Sequence, residues 1–190
     1  MNRRITLIIV DCQYDFIDGS LAVNGAHIAI DNIIAFILDH KDNIDKIIFT
    51  LDWHPINHCS FKNNGGTWPP HCVQYTKGAG IDFNLYECVY HTGIPYDVIL
   101  KGSNAAIEEY GAFSIHPLSD TLFDDFHSCH IDTNSDIVVC GIAGDYCVKE
   151  TIKNILPLEP KVFLKGIASI DDGTTIKNFI KACELKAVLQ

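Results

Sequence analysis

Two hydrophobic patterns alternate along the chain. Short continuous apolar runs with a β-branched bias recur at ITLIIVD (5–11), KIIFTLD (46–52), DVILKG (97–102), SDIVVCG (135–141) and KVFLKG (161–166). A run without polar alternation fits a strand covered on both faces, as in a parallel sheet. Between the runs lie helical periodicities. In HIAIDNIIAFILDH (27–40), Ile30, Ile33, Ile34, Ile37 and Leu38 make one stripe. DTLFDDFHS (120–128), YCVKETIKNIL (146–156) and TTIKNFIKACEL (174–185) read as helices on the same grounds. Strands alternating with helices predict an α/β fold: an open, mostly parallel sheet flanked by helices on both faces, Rossmann-like, in three layers with right-handed crossovers.

One segment breaks the alternation. Residues 53–96 carry five glycines, four prolines, both tryptophans and four histidines, with little periodicity. A structureless loop of this length inside a compact domain is usually functional. With no repeat, low-complexity tract or Pro/Gly linker, residues 1–190 read as one domain carrying a long loop at about 53–96. Polar residues and a glycine stand where strands end: Asp11, Asp52, Lys101 and Gly141. Open α/β sheets bind ligands outside the carboxyl ends of their strands, so these four are expected along one edge.

Bulk properties narrow the function classes. A formal charge of −10 argues against a nucleic-acid partner, which needs a basic face. The apolar run from Ile5 to Val10 stops at Asp11 with no small-residue cleavage site, so it reads as a first strand rather than a leader. No stretch approaches the roughly 20 apolar residues that span a bilayer, and a cytoplasmic location without membrane contact is expected. Eight cysteines (12, 59, 72, 88, 129, 140, 147 and 183) are then mostly free thiols, and none is spaced CxxC.

Cys147 stands apart by position. GIAGDYC follows a strand, turns on two glycines and enters a helical pattern, which places Cys147 in a first helical turn. Free backbone N–H groups and the helix dipole there favour a thiolate and can receive an oxyanion. Cys140, inside the strand, has neither. On spacing alone, a structural thiol fits Cys147 equally well. Asp11 and Lys101 each close a strand; singly they are ordinary solvated strand ends, and jointly they offer a base and a cation to a nucleophile. In LDWHPINHCSF…WPPHC, Asp52 and His54 lie two apart and share a side of an extended strand end, while His71 returns from the loop. One carboxylate with two imidazoles suits Zn²⁺, Fe²⁺ or Mn²⁺, with His58 or Ser60 as a further ligand, directly or through water. The plainer reading is that these are surface-loop histidines in a chain that has nine.

VDCQYDF, TLDWHPINHCSF, GGTWPPHCVQYTKGAGI, LKGSN and CGIAGDYCV occur in this order. Together they resemble the nicotinamidase (pyrazinamidase) branch of the isochorismatase-like cysteine hydrolases, over residues 5 to about 170. The resemblance implies an isochorismatase-like hydrolase fold and a triad of Asp11, Lys101 and Cys147. It implies one divalent metal ion on Asp52, His54 and His71, zinc foremost, with iron or manganese as alternatives. It also implies a cis peptide between Ile142 and Ala143 that turns the Ala143 N–H toward the oxyanion received by Cys147. Gly144 stands where many members have Thr; this leaves the triad intact and bears on local packing or the substrate pocket. The implied partner is a small molecule, nicotinamide, hydrolysed to nicotinate and ammonia through a cysteine thioester in NAD salvage. Its ring nitrogen approaches the metal between aromatic walls, for which Phe16, Trp68 and Tyr110 are the candidates, with Phe113 after them. Phe16 reads almost equally as a core residue under the first strand. A homo-oligomer is compatible with the family.

Two other readings stay open at this point. One is another cysteine amidohydrolase of the superfamily, acting on ureido or carbamoyl groups, or an isochorismatase; such relatives generally lack the DxH…H metal set. The other is a non-enzymatic metal- or redox-binding protein, which makes no use of a lysine at a strand end.

Overall fold

A computed structural model describes residues 4–113, 131 and 134–188. The predicted helix at 120–128, and Cys129, lie outside the described residues. Each apolar run forms a strand: β1 (Ile5–Val10), β2 (Ile44–Asp52), β3 (Tyr96–Lys101), β4 (Asp136–Ile142) and β5 (Lys161–Ala168). All pairings between them are parallel, in the order β3-β2-β1-β4-β5.

The pleat divides each strand between two cores. Leu7, Ile9, Ile47, Phe49 and Val138 face α2 (Ala26–His40) and α3 (Phe83–Thr92). Ile8, Val10, Ile48, Ile137 and Val139 face α4 (Lys149–Asn154) and α5 (Thr174–Ala182). Both faces of every central strand are therefore covered, which is why the runs lack polar alternation. A one-turn helix, α1 (Tyr14–Ile17), follows β1. No helix among the described residues is long and apolar enough to cross a membrane.

The order carries the function. From β1 the chain steps outward to β2 and β3, then returns to β4 on the other side of β1. The direction of winding reverses between β1 and β4, and a crevice opens at such a point beyond the carboxyl ends.

Two sequence expectations need correction. Residues 53–96 are not a structureless loop, because α3 lies within them. Its pattern is faint because only Leu85 and Val89 are buried, while Phe83, Tyr86 and Tyr90 face solvent. The readable signals were Asp82, whose carboxylate accepts the Leu85 N–H at 3.0 Å, and Gly93 at the end. In α2, Leu38 is 52% exposed and Ile34 only half-buried; the buried stripe is Ala26, Ala29, Ile30, Ile33, Phe36 and Ile37.

Candidate active site

The strand ends deliver Asp11, Asp52 and Lys101 to one place. Val10 pairs with Thr50 on one side and Gly141 on the other, and Asp52 pairs directly with Lys101. Just past β1 the backbone turns sharply at Asp11 (φ 48°), a left-handed conformation that Asp tolerates better than most residues. Its carboxylate is wholly buried: Oδ1 accepts the Thr50 hydroxyl at 2.7 Å, and Oδ2 lies 2.8 Å from Lys101 Nζ without a well-aligned hydrogen bond. Lys101 Nζ also donates to Asp52 Oδ1 and lies 3.5 Å from Cys147 Sγ. The sulfur and both carboxylates are within 4.8 Å of one another. Three segments far apart in sequence thus place a carboxylate, an ammonium and a thiol in contact.

Cys147 sits in one turn of π-helix, Gly144–Val148, that leads into α4. The Val148 N–H reaches back five residues to the Ala143 carbonyl at 3.0 Å. The wider turn sets the cysteine against the β1 and β3 ends, and such bulges are frequent at functional sites. The Ile142–Ala143 peptide is cis. Asp145 fixes the turn from beneath, accepting the Ile170 and Asp171 N–H groups at 3.0 Å each.

The electrostatics differ from the sequence expectation in one respect. Burial pushes Cys147 well up, and Lys101 offsets this only in part, because Asp11 and Asp52 repel a second negative charge. The resting sulfur is therefore a thiol and needs a base to become a nucleophile. Burial likewise pushes Asp11 up to about 6, against the pull of Lys101. Burial also acts to raise Asp52, but Lys101 and His54 outweigh it and hold that carboxyl well below the usual range. Lys101 stays charged because its three neighbours outweigh its own burial. The two carboxylates sharing one lysine are thus split: Asp52 is a fixed anion and Asp11 is poised to exchange a proton near neutrality.

Beside this group, Asp52, His54 and His71 bring their donor atoms together. His54 Nε2 and His71 Nε2 lie 3.4 and 3.8 Å from Asp52 Oδ2. Each ring is oriented from behind: His54 Nδ1 bonds the Gly102 carbonyl at 2.9 Å and His71 Nδ1 the Pro69 carbonyl at 2.8 Å. Such backbone bonds leave Nε2 as the free donor, the usual arrangement of a metal-binding histidine. Gly102 (φ 64°) permits this approach, since a Cβ there would fall 2.4 Å from His54 Cε1. Burial lowers His71 and keeps its imidazole neutral; burial acts the same way on His54, but Asp52 outweighs it and raises that ring. The donor set fits a divalent ion. Of the proposed further ligands, Ser60 Oγ bonds His58 Nδ1 at 2.7 Å, and His58 Nε2 bonds the Ile107 carbonyl at 3.0 Å. Both are engaged with each other and the backbone. Glu108, which the sequence did not single out, forms an adjoining group with His54 and His58.

No family model matches the chain. The curated nicotinamidase of Escherichia coli K12 is 33% identical over 174 residues, covering 82% of this chain and 78% of that enzyme. The nicotinamidase of Saccharomyces cerevisiae is 30% identical over 214 aligned positions, covering 96% and 95%. The chain belongs to the nicotinamidase branch of the isochorismatase-like hydrolases. Solved structures of this branch share its fold. The yeast nicotinamidase bound to the inhibitor nicotinaldehyde superposes with a TM-score of 0.78 at 27% identity, over 98% of this chain and 100% of that one. The pyrazinamidase of Pyrococcus horikoshii in complex with zinc gives 0.74 at 25% identity, over 98% and 99%.

In this branch member, the aromatic residues divide. Trp68 Nε1 donates to the Tyr110 hydroxyl at 3.1 Å, and both rings pack on Tyr146, at 5.1 and 5.5 Å between centroids. Tyr146 precedes the cysteine in GDYC and was missed; its only sequence signal was that adjacency. Phe16 is buried in the α2/α3 core, as its core reading expects, with its ring 5.4 Å from His71. Phe113 is buried in the opposite core. Gly144 concerns packing: a Cβ there would fall 2.3 Å from Ser169 Oγ and 2.7 Å from Ile167 Cγ2, on the β5 side.

Proposed function

We propose that the chain is a nicotinamidase, hydrolysing nicotinamide to nicotinate and ammonia on Cys147, in NAD salvage. The observation that carries this reading is the position of Lys101 Nζ, 2.8 Å from Asp11 Oδ2 and 3.5 Å from Cys147 Sγ. A structural thiol has no need of a buried ion pair beside it.

Asp11 Oδ2, ion-paired with Lys101 Nζ at 2.8 Å, takes the thiol proton as Sγ attacks the amide carbon. Lys101 keeps the anionic sulfur in place and balances the charge that moves between it and Asp11. Backbone N–H groups of Ala143 and Cys147 receive the oxyanion. The C–N bond breaks, and the proton held on Asp11 leaves with ammonia. Asp11 then takes a proton from water, which attacks the thioester carbonyl and releases nicotinate and the thiol. Trp68, Tyr110 and Tyr146 offer aromatic faces to the pyridine ring, with Phe16 near His71. Asp52, His54 and His71 would hold a divalent ion, which supplies a Lewis acid for the ring nitrogen. Zinc is the first candidate, since the Pyrococcus relative binds it. Iron and manganese accept the same ligands.

The test is ammonia release by the zinc-loaded chain from nicotinamide, set against a panel of ureido and carbamoyl amides. Turnover confined to the panel would sink the reading in favour of another superfamily amidase.

A further inference from the structure

The motif VDCQYDF contains three polar side chains inside a hydrophobic segment, and the mechanism uses only Asp11. The other two point at the metal-ligand segments. Gln13 is fully buried. Its Oε1 accepts the Asp52 N–H at 2.8 Å, and its Nε2 donates to the Asp52 carbonyl at 2.8 Å and the Ala79 carbonyl at 2.9 Å. The Trp53 N–H goes to Lys101 on the β3 side, so the neighbouring Asp52 groups face β1. The last ladder bond of β1 is the Asp11 N–H to the Thr50 carbonyl at 3.0 Å, after which the Asp11 carbonyl turns away to accept the Gln13 N–H at 2.8 Å. The Gln13 carboxamide fills the vacated ladder position, and both of its N–H donors are used.

Asp15 does the same for the loop. Its Oδ2 accepts the Cys72 N–H at 2.7 Å, and its Oδ1 accepts the Ser20 N–H at 3.1 Å. Cys72 has a left-handed backbone (φ 46°), and its carbonyl accepts the His54 N–H at 3.1 Å. One carboxylate oxygen therefore holds the residue that follows His71 and bonds His54. Through two side chains, the turn at 13–15 grips the backbone of Asp52 and of Cys72, which follows His71 and is itself bonded to His54.

We infer that Gln13 and Asp15 are positioning residues for the metal: they set the spacing of Asp52, His54 and His71 without touching the ion. The inference rests on the metal reading given under the proposed function. Outer groups that orient ligands typically govern metal affinity by about 10–100-fold.

The experiment is zinc titration of metal-stripped protein against a chromophoric chelator, with melting of the metal-free forms alongside. Asp15→Ala and Gln13→Ala are expected to weaken zinc by about 10–100-fold. Asp15→Asn, which keeps one oxygen for the Cys72 N–H, is expected to recover most of that loss. A merely structural role predicts a lower melting point of the metal-free chain with zinc affinity unchanged; that result in Asp15→Ala overturns the inference. Should Gln13→Ala fail to fold, the Asp15 pair decides. If the wild-type chain itself binds no zinc, the metal reading fails; if it binds and Asp15→Ala binds equally well, only the present inference fails.

Discussion

Lys101→Met keeps the length of the side chain and removes its charge. Coulomb's law across the 2.8 Å from Nζ to Asp11, at an effective dielectric of about 20, gives ~6 kcal/mol, or roughly four pKa units. Relaxation and entry of water return part of this. Starting from about 6, Asp11 then moves upward, and its ionised fraction at pH 7 falls by about tenfold to a thousandfold. The developing anion at Cys147 also loses the cation 3.5 Å away, a loss typically on the order of 10²-fold. Together these predict a fall in kcat/KM of at least ~10³-fold, about 4 kcal/mol of transition-state stabilisation. Zinc content should hold, because Lys101 touches Asp52 Oδ1 whereas the histidines face Oδ2. The assay is ammonia release from nicotinamide at matched zinc content, with circular dichroism to confirm folding, since breaking a buried ion pair costs about 3–5 kcal/mol. Folded, zinc-loaded Lys101→Met within tenfold of wild type would refute the role assigned to the lysine.

Three further outcomes follow from the structure. Asp11 must be ionised to take the thiol proton, and burial pushes it up to about 6, so kcat/KM should fall on the acid side with a midpoint near pH 6; a profile flat to pH 5 contradicts this. For stability the sign is opposite: the folded chain holds this proton more tightly than the unfolded one, so the contribution is full below about pH 4 and lost as pH rises through about 6. Gly144→Thr forces a Cβ to within 2.3 Å of Ser169 Oγ and should cost about 1–3 kcal/mol in denaturant unfolding, with Ser169→Ala recovering part; no loss would mean that the β5 side yields freely.

What could be read from the sequence was what two covered faces impose on a strand. Ile5–Val10 and Asp136–Ile142 are apolar at nearly every position because β1 and β4 have a core on each side. Helix α3 hid because Leu85 and Val89 alone are buried while aromatic residues face out. Leu38 was misplaced because the stripe was drawn through isoleucines, when Ala26 and Ala29 mark the close approach of α2. The strand-end residues Asp11, Asp52 and Lys101 were legible because parallel strands deliver their ends to one edge. The thiol's high pKa was not, since a helix start carries no information about burial or about two nearby carboxylates. The roles of Gln13 and Asp15 were not legible either, although both stand in VDCQYDF: they bind backbone groups 39 to 66 residues away in sequence, and backbone partners have no signature of their own.

The central claim is that Cys147, among all the thiols of the chain, forms the bond to substrate. Its most direct test is ammonia release from nicotinamide by wild-type and Cys147→Ala chains at equal zinc content. The account predicts turnover by the first and none by the second, with the fold retained. Undiminished turnover by Cys147→Ala, or none by the zinc-loaded wild-type chain, would contradict it.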